Sequence, residues 1–381
     1  MPKSKQNQPA LLGPKLSAKQ FLARHWQKKP LLVRGAMPGL EHFIDRDTLV
    51  SLALREDVES RLIVRRGNAW SVHHGPLDAG HFSGLPKKNW TLLVQDVQHH
   101  IDPAWEILSQ FNFIPYARLD DLMVSYAADG GGVGPHYDSY DVFLIQAAGK
   151  RRWRVAKKFD ASVRTGVPLK MIEAFEAEQE WLLKSGDMLY LPPNYAHEGI
   201  AEGECITLSV GFRAPRAYEL ALAYLQELAA AHDYGPLLRD IDLIDTHTPA
   251  RLDRALIHRY RQMIEQLDWR YGDFADFLGV FLSEPKSHTE FDVRTRGHSA
   301  DGFARHMQAA GVRLNGKTRM LYFGREFFIN GEQVSVAPDD SKPLAKLADT
   351  RRLAGQSVSE ELMTLLYSWY RDGFLELEDS S

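Results

Sequence analysis

The chain has 381 residues, of which 44% are hydrophobic and 25% are charged, and its formal net charge is −4. This composition is typical of a folded globular protein, and the length predicts two or three domains. The slight acidity argues against a protein whose whole surface follows a phosphate backbone. Cys205 is the one cysteine, which excludes an intramolecular disulfide and a four-thiolate zinc site. The sequence lacks a signal-peptide pattern and an apolar run of about 18 residues, so we expect a cytoplasmic protein outside the membrane.

The first half of the chain is dominated by short apolar runs. Residues 1–16 predict a flexible N-terminus, and a capping box from Ser17 to Gln20 then begins a helix that Pro30 ends. The runs that follow are rich in branched and aromatic residues and are separated by glycine and proline, which is typical of barrel strands. Eight strands are predicted, at 31–33, 61–65, 90–95, 122–126, 141–146, 152–156, 187–192 and 205–212.

The pattern becomes helical after Pro215. Apolar residues recur three and four positions apart, which predicts amphipathic helices at 217–231, 251–267 and 273–282. Their apolar stripes must pack against the barrel or against a second copy of the chain. We expect a homodimer, because three such helices have more apolar surface than the outside of a barrel covers.

The C-terminal part mixes helices with a hairpin whose turn is Asn330-Gly331. Helix, β-ribbon and two further helices in so short a span are typical of a winged-helix module. The predicted fold class is therefore α+β, with a barrel at 17–215, a helical dimerisation segment at 216–287 and a winged-helix-like domain at 288–381.

The segment GGGVGPHYDSYDVFLIQ carries the strongest chemical signal, since it places His136 and Asp138 two residues apart at the start of a predicted strand. Side chains at i and i+2 share one face of a strand, so both would point into the barrel. With a third ligand from another strand they would form the facial two-histidine, one-carboxylate site of non-haem iron oxygenases. The same pattern at His100 and Asp102 leads into a predicted helix, where i and i+2 do not share a face.

His197 is the predicted third metal ligand. It follows a predicted strand and a Pro-Pro turn in the segment GDMLYLPPNYAHEG. A lone histidine at such a place is more often a core or loop residue. The pair formed by His136 and Asp138 favours the ligand role.

Several segments resemble the JmjC-type ribosomal oxygenases: GGGVGPHYDSYDVFLIQAAGKRRWRV, SGDMLYLPPNYAHEG, SVGFRAP and, near the N-terminus, HWQKKPLLVRG. With the order of barrel, helices and winged helix, the resemblance covers essentially the whole chain, and it is strongest to the bacterial group that hydroxylates an arginine of large-subunit ribosomal protein L-sixteen. It implies a double-stranded β-helix of the JmjC and cupin type. It also implies Fe(II), 2-oxoglutarate as cosubstrate, O2, and a homodimer formed through the middle helices.

Arg151 occupies the position where this family places the base that holds the far carboxylate of 2-oxoglutarate. A guanidinium binds a carboxylate through two parallel hydrogen bonds. Lys150 and Arg152 are the alternatives, although strand alternation places them on the face opposite to Arg151. Ser125 matches a position that contacts the cosubstrate in the family, and Ser209 is a further candidate; backbone-bonded strand serines are an equally good interpretation of both.

The substrate is predicted less directly. Tyr137, Tyr140 and Asp141 are expected near the mouth of the barrel, where aromatic and acidic groups can receive a cationic side chain, unless they serve in packing. The predicted function is hydroxylation of an arginine in ribosomal protein L-sixteen.

Three alternatives stay open: a histidyl hydroxylase of another ribosomal protein, a metal-dependent cupin enzyme that uses no 2-oxoglutarate, and a DNA-binding regulator with a cupin sensor. The net acidity and the acidic C-terminal tail argue against nucleic acid as a partner.

Overall fold

A computed structural model describes residues 11–173, 175–213, 215–231, 252, 254–265 and 271–378. The outer ends of the predicted helix 251–267 and most of the predicted flexible N-terminus lie outside these residues. One part of that N-terminus differs from the prediction, because Leu11 is buried in the main core. The chain is therefore packed from Leu11 onward, ahead of the predicted domain start at residue 17.

The first part of the chain contributes helices on the outside of the barrel and strands that extend its larger sheet. The capping box at Ser17 and Gln20 is confirmed, but the helix it begins ends at Arg24, well before Pro30. The elements are α1 (Ala18–Arg24), β1 (Leu31–Val33), α2 (Arg46–Ala53), β2 (Ser60–Arg66), β3 (Ala69–His74), α3 (Ala79–Ser83), β4 (Trp90–Val94) and α4 (Ala104–Ser109).

The strands that follow complete a double-stranded β-helix, as predicted. They are β5 (Leu119–Ala127), β6 (His136–Tyr137), β7 (Asp141–Ala148), β8 (Lys150–Ala156), β9 (Gln179–Lys184), β10 (Met188–Leu191), β11 (Ala196–Ala201) and β12 (Cys205–Phe212). An eight-stranded antiparallel sheet has the order β1-β10-β7-β12-β5-β4-β2-β3, and a four-stranded sheet has the order β6-β11-β8-β9.

The larger sheet is covered on both faces, which explains its continuous apolar runs. Phe21 of α1 and Leu49 of α2 pack with Phe143 and Leu208 on its outer face. On the inner face Leu144 packs against Trp153 and other residues of the smaller sheet. All eight residues of β12 are buried as a result.

Four barrel strands, β3, β6, β9 and β11, are absent from the eight predicted strands, although His136 of β6 was expected at the start of a strand. Three of them, β3, β6 and β9, are edge strands with a neighbouring strand on one side only. Side chains of an edge strand need not be apolar. The fourth, β11, has the sequence AHEGIA, whose small and polar residues line a cavity rather than a core.

After the barrel the chain forms α5 (Ala217–Ala231), α6 (Arg254–Glu265) and α7 (Tyr271–Ser283). The three helices do not share one environment. Gly279 of α7 lies so close to the ring of Phe328 that an added Cβ would be 2.4 Å from it. α7 therefore packs against Phe328 of the C-terminal module, a partner that the sequence prediction did not consider for these helices.

The C-terminal module has the winged-helix arrangement that was predicted, including the turn at Asn330 and Gly331, both with positive φ. Its elements are α8 (Ala300–Ala309), β13 (Gly311–Leu314), β14 (Met320–Phe323), β15 (Glu326–Ile329), β16 (Glu332–Ser335), α9 (Pro338–Thr350), β17 (Arg352–Ala354), α10 (Glu360–Arg371) and β18 (Leu375–Leu377). Among the described residues, no helix is long and apolar enough to cross a membrane.

The winged-helix module packs directly on the barrel. Trp105 of α4 donates its indole hydrogen to the backbone oxygen of Gly316 at 3.0 Å. The buried guanidinium of Arg351 lies 3.5 Å from the centre of the same indole ring. Since Trp105 serves both contacts, the orientation of the module relative to the barrel is fixed by side-chain packing as well as by the connecting chain.

Candidate metal and cosubstrate site

A cavity of about 620 Å³ lies between the two sheets of the barrel. Its walls come from inward-facing residues of both sheets, which alternate with residues of the apolar cores. On β5, for example, Met123 and Ser125 line the cavity whereas Leu122 and Val124 belong to the main core. The cavity therefore follows from the period-two alternation of the strands.

His136 and His197 meet in this cavity because β6 pairs with β11 and the two histidines are direct register partners. Their ring centres are 4.2 Å apart. The glycine loop before β6 makes this pairing possible, since a Cβ on Gly132 would lie 2.4 Å from the backbone oxygen of Gly199 in β11. Gly134, with φ +77°, then turns the chain into β6.

Each imidazole is held by a backbone carbonyl. Nδ1 of His136 lies 2.9 Å from the oxygen of Gly134, and Nδ1 of His197 lies 2.9 Å from the oxygen of Tyr195. This geometry assigns the proton to Nδ1 and leaves the lone pair of each Nε2 free for a metal. Burial and the neighbouring His136 lower the pKa of His197 to about 4, so the ring is neutral at physiological pH.

Asp138 completes the group, with Oδ2 3.6 Å from Nε2 of His197. One ligand atom from each of His136, Asp138 and His197 lies within 4.8 Å of the other two. Two imidazoles and one carboxylate on one side of a cavity are a donor set that fits Fe(II) and leaves coordination positions open. The structure brings together the three residues predicted as ligands, although β6 ends at Tyr137 and Asp138 lies just beyond the strand.

Arg151 lies deep in the cavity as the inward residue of β8. Its Nη1 donates to Ser125 Oγ and to Thr207 Oγ1, each at 3.1 Å. Its buried Nε has no hydrogen-bond partner among the described residues, and none of their carboxylates forms an ion pair with it. Burial lowers the pKa of this guanidinium, yet an arginine stays charged. A buried cation without a counter-ion calls for an anion from outside, and the far carboxylate of 2-oxoglutarate fits that requirement.

The two alternatives to Arg151 point away from the cavity. Lys150 is exposed, and Arg152 forms ion pairs with Glu180 at 2.7 Å and with Glu202 at 2.5 Å on the outside of the smaller sheet. Both serine candidates, Ser125 and Ser209, line the cavity, and Ser125 also accepts a hydrogen bond from Arg151.

Thr207 is a partner of Arg151 that the sequence prediction missed. It is two residues from Ser209 on β12, so strand alternation applied to Ser209 would have identified it.

The prediction for Asp141 is wrong. Asp141 is fully buried on the outer face of β7, where its carboxylate accepts hydrogen bonds from the Tyr190 hydroxyl at 2.6 Å and from Gln27 Nε2 at 3.0 Å. The next residue, Val142, is the one that lines the cavity, so the alternation in β7 has the opposite phase to the one assumed. Tyr137 and Tyr140 do line the cavity and are partly exposed.

Outside the donor set, the acidic residues at the cavity wall are Asp120 and Asp121 rather than Asp141. Asp121, like Met123 and Ser125, is an inward residue of β5, a regularity that the sequence alone contained. Burial raises the pKa of its carboxyl group to about 7, and the neighbouring Asp96 and Asp120 act in the same direction.

Comparisons with known proteins agree with this site. The JmjC domain family matches residues 106–220, and the ROXA-like winged helix matches residues 266–376. The chain is 34% identical to the ribosomal protein uL16 3-hydroxylase of Escherichia coli over 319 residues, which cover 82% of this chain and 84% of that protein. It is 26% identical to ribosomal oxygenase 1 of Gallus gallus, over 70% of this chain and 42% of that protein.

Solved structures extend the similarity to the whole fold. YcfD of E. coli matches with a TM-score of 0.86 and 31% identity, covering 96% of this chain and 99% of that one. A structure of YcfD, described as a ribosomal oxygenase in complex with cobalt and 2-oxoglutarate, matches with a TM-score of 0.84, with the same identity and coverage. The chain thus belongs to the JmjC-domain ribosomal oxygenases and is a dioxygenase that depends on Fe(II) and 2-oxoglutarate.

Proposed function

We propose that this enzyme hydroxylates an arginine side chain of large-subunit ribosomal protein L-sixteen (uL16), with His136, Asp138 and His197 as the iron ligands. The observation that carries the proposal is one cavity with three kinds of group: a three-residue donor set, the unpaired guanidinium of Arg151, and a carboxylate, Asp121, on the wall. The relative named for uL16 covers most of both chains. A ribosomal protein as substrate supports the further proposal that the enzyme acts in the cytoplasm.

The residues of the cavity have separate tasks in this proposal. His136, Asp138 and His197 would hold the iron, which with 2-oxoglutarate and O2 would supply the oxidising chemistry for hydroxylation of a C–H bond. Arg151 orients the cosubstrate through its far carboxylate, and Ser125 and Thr207 hold the guanidinium in place. Asp121 pairs with the guanidinium of the substrate, and Tyr137 and Tyr140 offer aromatic rings to the same side chain. Water is excluded as the substrate fills the cavity, which strengthens each of these charge pairs.

The acidic wall favours arginine over histidine as the target. A guanidinium is always protonated, so the pH dependence of its pairing with Asp121 comes from the carboxylate alone. A histidine would add the titration of its own imidazole. Nothing comparable favours the DNA-binding alternative, and we propose that nucleic acid is not a partner.

Loss of a metal ligand should abolish turnover. We expect His136→Ala, Asp138→Ala and His197→Ala to prevent metal binding without unfolding the barrel, because each removes one of three protein ligands. Calorimetric titration with Co(II) measures binding, and circular dichroism measures the fold. His74→Ala is the control, since His74 lines the same cavity outside the donor set. Activity in any ligand variant equal to that of wild type would refute the assignment.

Arg151→Met should raise the apparent KM for 2-oxoglutarate by about 10- to 100-fold, because it removes a buried charge-assisted hydrogen-bond pair. Metal affinity should stay the same. The matched control is Arg152→Met, which removes an arginine from the outer face of the same strand. If KM changes in the control and not in Arg151→Met, the cosubstrate is held elsewhere.

The substrate assignment is tested with a synthetic peptide of the uL16 arginine loop, incubated with enzyme, Fe(II), ascorbate and 2-oxoglutarate. We expect one added oxygen on arginine, located by fragmentation mass spectrometry. Because Asp121 must be ionised to pair with the guanidinium, kcat/KM for the peptide should rise between pH 6 and 8. Asp121→Asn should lower kcat/KM and flatten this rise. Oxygen on a histidine would overturn the arginine assignment and leave the oxygenase itself intact.

We also propose that 216–287 is a dimerisation segment between a barrel domain, 17–215, and a winged-helix domain, 288–381. Two exposed apolar stripes support a homodimer. On α5 the stripe is Tyr218, Leu222 and Leu225, and on α6 it is Ile257, Tyr260 and Ile264. Exposed stripes at helical spacing require a partner surface.

Light scattering at micromolar concentration should give twice the 43.3 kDa of one chain. The double variant Ile257→Asp/Ile264→Asp should give a monomer, because it places charge in the apolar stripe. Gln262→Asp, on the other side of α6, should leave the mass unchanged. A monomeric wild-type protein would refute the proposal.

A further inference from the structure

Asp121 is part of a charged cluster that joins the barrel to the C-terminal part of the chain. Nζ of Lys286, which follows α7, lies 3.0 Å from each carboxylate oxygen of Asp96. It also lies 3.5 Å from Oδ1 of Asp120 and 3.8 Å from Oδ2 of Asp121. Arg319, between β13 and β14, donates to the backbone oxygen of Asp120 at 3.1 Å and lies 3.7 Å from its Oδ1. Both cations are distant in sequence from the acids they contact.

The cluster has one more carboxylate than permanently charged cations. Among the described residues in contact there are three carboxylates, those of Asp96, Asp120 and Asp121, and two permanent cations, Lys286 and Arg319. The imidazoles of His99 and His288 also lie within 4.0 Å of Asp96. Asp96 and Asp121 are buried, so their ionised forms depend on nearby positive charge. Lys286 supplies that charge to all three acids, whereas Arg319 contacts Asp120. Asp120 and Asp121 both line the cavity, but Asp120 lies near both Lys286 and Arg319, whereas Asp121 lies near Lys286 at 3.8 Å. Asp121 is therefore the acid that can take a cation from outside.

We propose that Lys286 is a positioning residue for substrate recognition, which keeps Asp121 ionised and oriented for the guanidinium of the substrate. The inference rests on the proposed arginine substrate. Lys286 is outside the set of described residues that line the cavity, so it acts through Asp121 and does not touch the substrate. Through Lys286 and Arg319, the C-terminal part of the chain supports the substrate site of the barrel.

A bound metal is the other way to balance these acids. Glu59, Asp96 and His288 do place one ligand atom each within 4.8 Å of one another. However, both oxygens of Asp96 are already engaged by the ammonium of Lys286 at 3.0 Å. The lysine therefore occupies the position from which a cation would neutralise Asp96.

The charged neighbours of Asp121 determine the direction in which each substitution shifts its pKa. Burial raises its pKa, Lys286 lowers it, and Asp96 and Asp120 raise it. Removing Lys286 must therefore raise the pKa of Asp121 further, and removing the charge of Asp96 must lower it. The charged and titratable groups around this cluster, from all elements packed against it, are Glu59, Asp96, His99, Asp120, Tyr140, Lys286, His288 and Arg319.

The experiment compares the pH profile of kcat/KM for the uL16 peptide in Lys286→Gln and wild type. Glutamine keeps a donor for Asp96 and removes the charge. We expect the rise of kcat/KM to move up by about one pH unit, which lowers kcat/KM at pH 7 by about fivefold. Lys286→Arg should restore the wild-type profile. Lys346→Gln, which removes an exposed lysine charge from α9, is the matched control and should have no effect. Peptide-independent turnover of 2-oxoglutarate should be equal in all variants.

Asp96→Asn provides the opposite test, because it should move the profile to lower pH, and it does not depend on the folding of Lys286→Gln. A second readout needs no substrate: carboxyl carbon NMR of the protein labelled at aspartate, with the Asp121 signal identified by its loss in Asp121→Asn. The pKa of that signal should rise in Lys286→Gln. If it does not, the inference is overturned even where the peptide is hydroxylated. If it rises and wild type leaves the peptide unmodified, the proposed arginine substrate fails, and the role of Lys286 toward it fails as well.

Discussion

The pairing of β6 with β11 is the interaction on which the site depends. β6 has only two residues, and its partner in β11 places His136 directly opposite His197. A shift of one residue would turn one of the imidazoles to the other face of the sheet and separate the two potential ligands. The register is held by the glycine loop, which lies against the backbone of β11 and leaves no room for a Cβ at Gly132. The carbonyl oxygens that orient both rings come from the same two segments, so backbone geometry and side-chain geometry are fixed together.

The same barrel also keeps an unneutralised positive charge in its interior. Arg151 is held by two hydroxyl groups, which satisfy hydrogen bonds without neutralising the guanidinium. A carboxylate from the protein would stabilise the fold, but it would also occupy the position needed for the cosubstrate. The fold therefore keeps at its centre a guanidinium whose burial costs free energy. The large sheet around it, covered on both faces, offsets that cost. A buried charge that the protein itself does not neutralise is expected at sites that bind an ion.

The fold was predictable from the sequence where burial imposes a pattern on it. β12 and β7 are buried on both faces, so their apolar runs identify them with nearly exact ends. The edge strands β3 and β9 carry no such constraint, and neither does β11, whose residues line the cavity. The phase of alternation was harder to read in β7 than in β5 and β12, where it follows from Ser125 and Ser209. The seven buried residues of β7 contain two polar ones of opposite parity, Asp141 on the outer face and Gln146, which accepts a hydrogen bond from Thr207 on the inner side. Asp141 was misplaced for this reason, since a buried acid paired with Tyr190 looks in sequence like an exposed one.

The residues of the site form two groups, one close together along the chain and one drawn from distant segments. The sequence motifs contain only the first group. The donor set and Arg151 lie between His136 and His197, in segments whose spacing is constrained by adjacent strands. The groups around Asp121 instead come from Asp96, Lys286 and Arg319, which meet through the packing of the C-terminal part on the barrel. The spacing of residues along the chain can specify the metal ligands, because these ligands must converge on one atom. Recognition of the substrate depends on charges brought together from separate elements, so it can change through residues that the motifs do not include. A histidyl and an arginyl hydroxylase can therefore share every motif and still differ at the wall of the cavity.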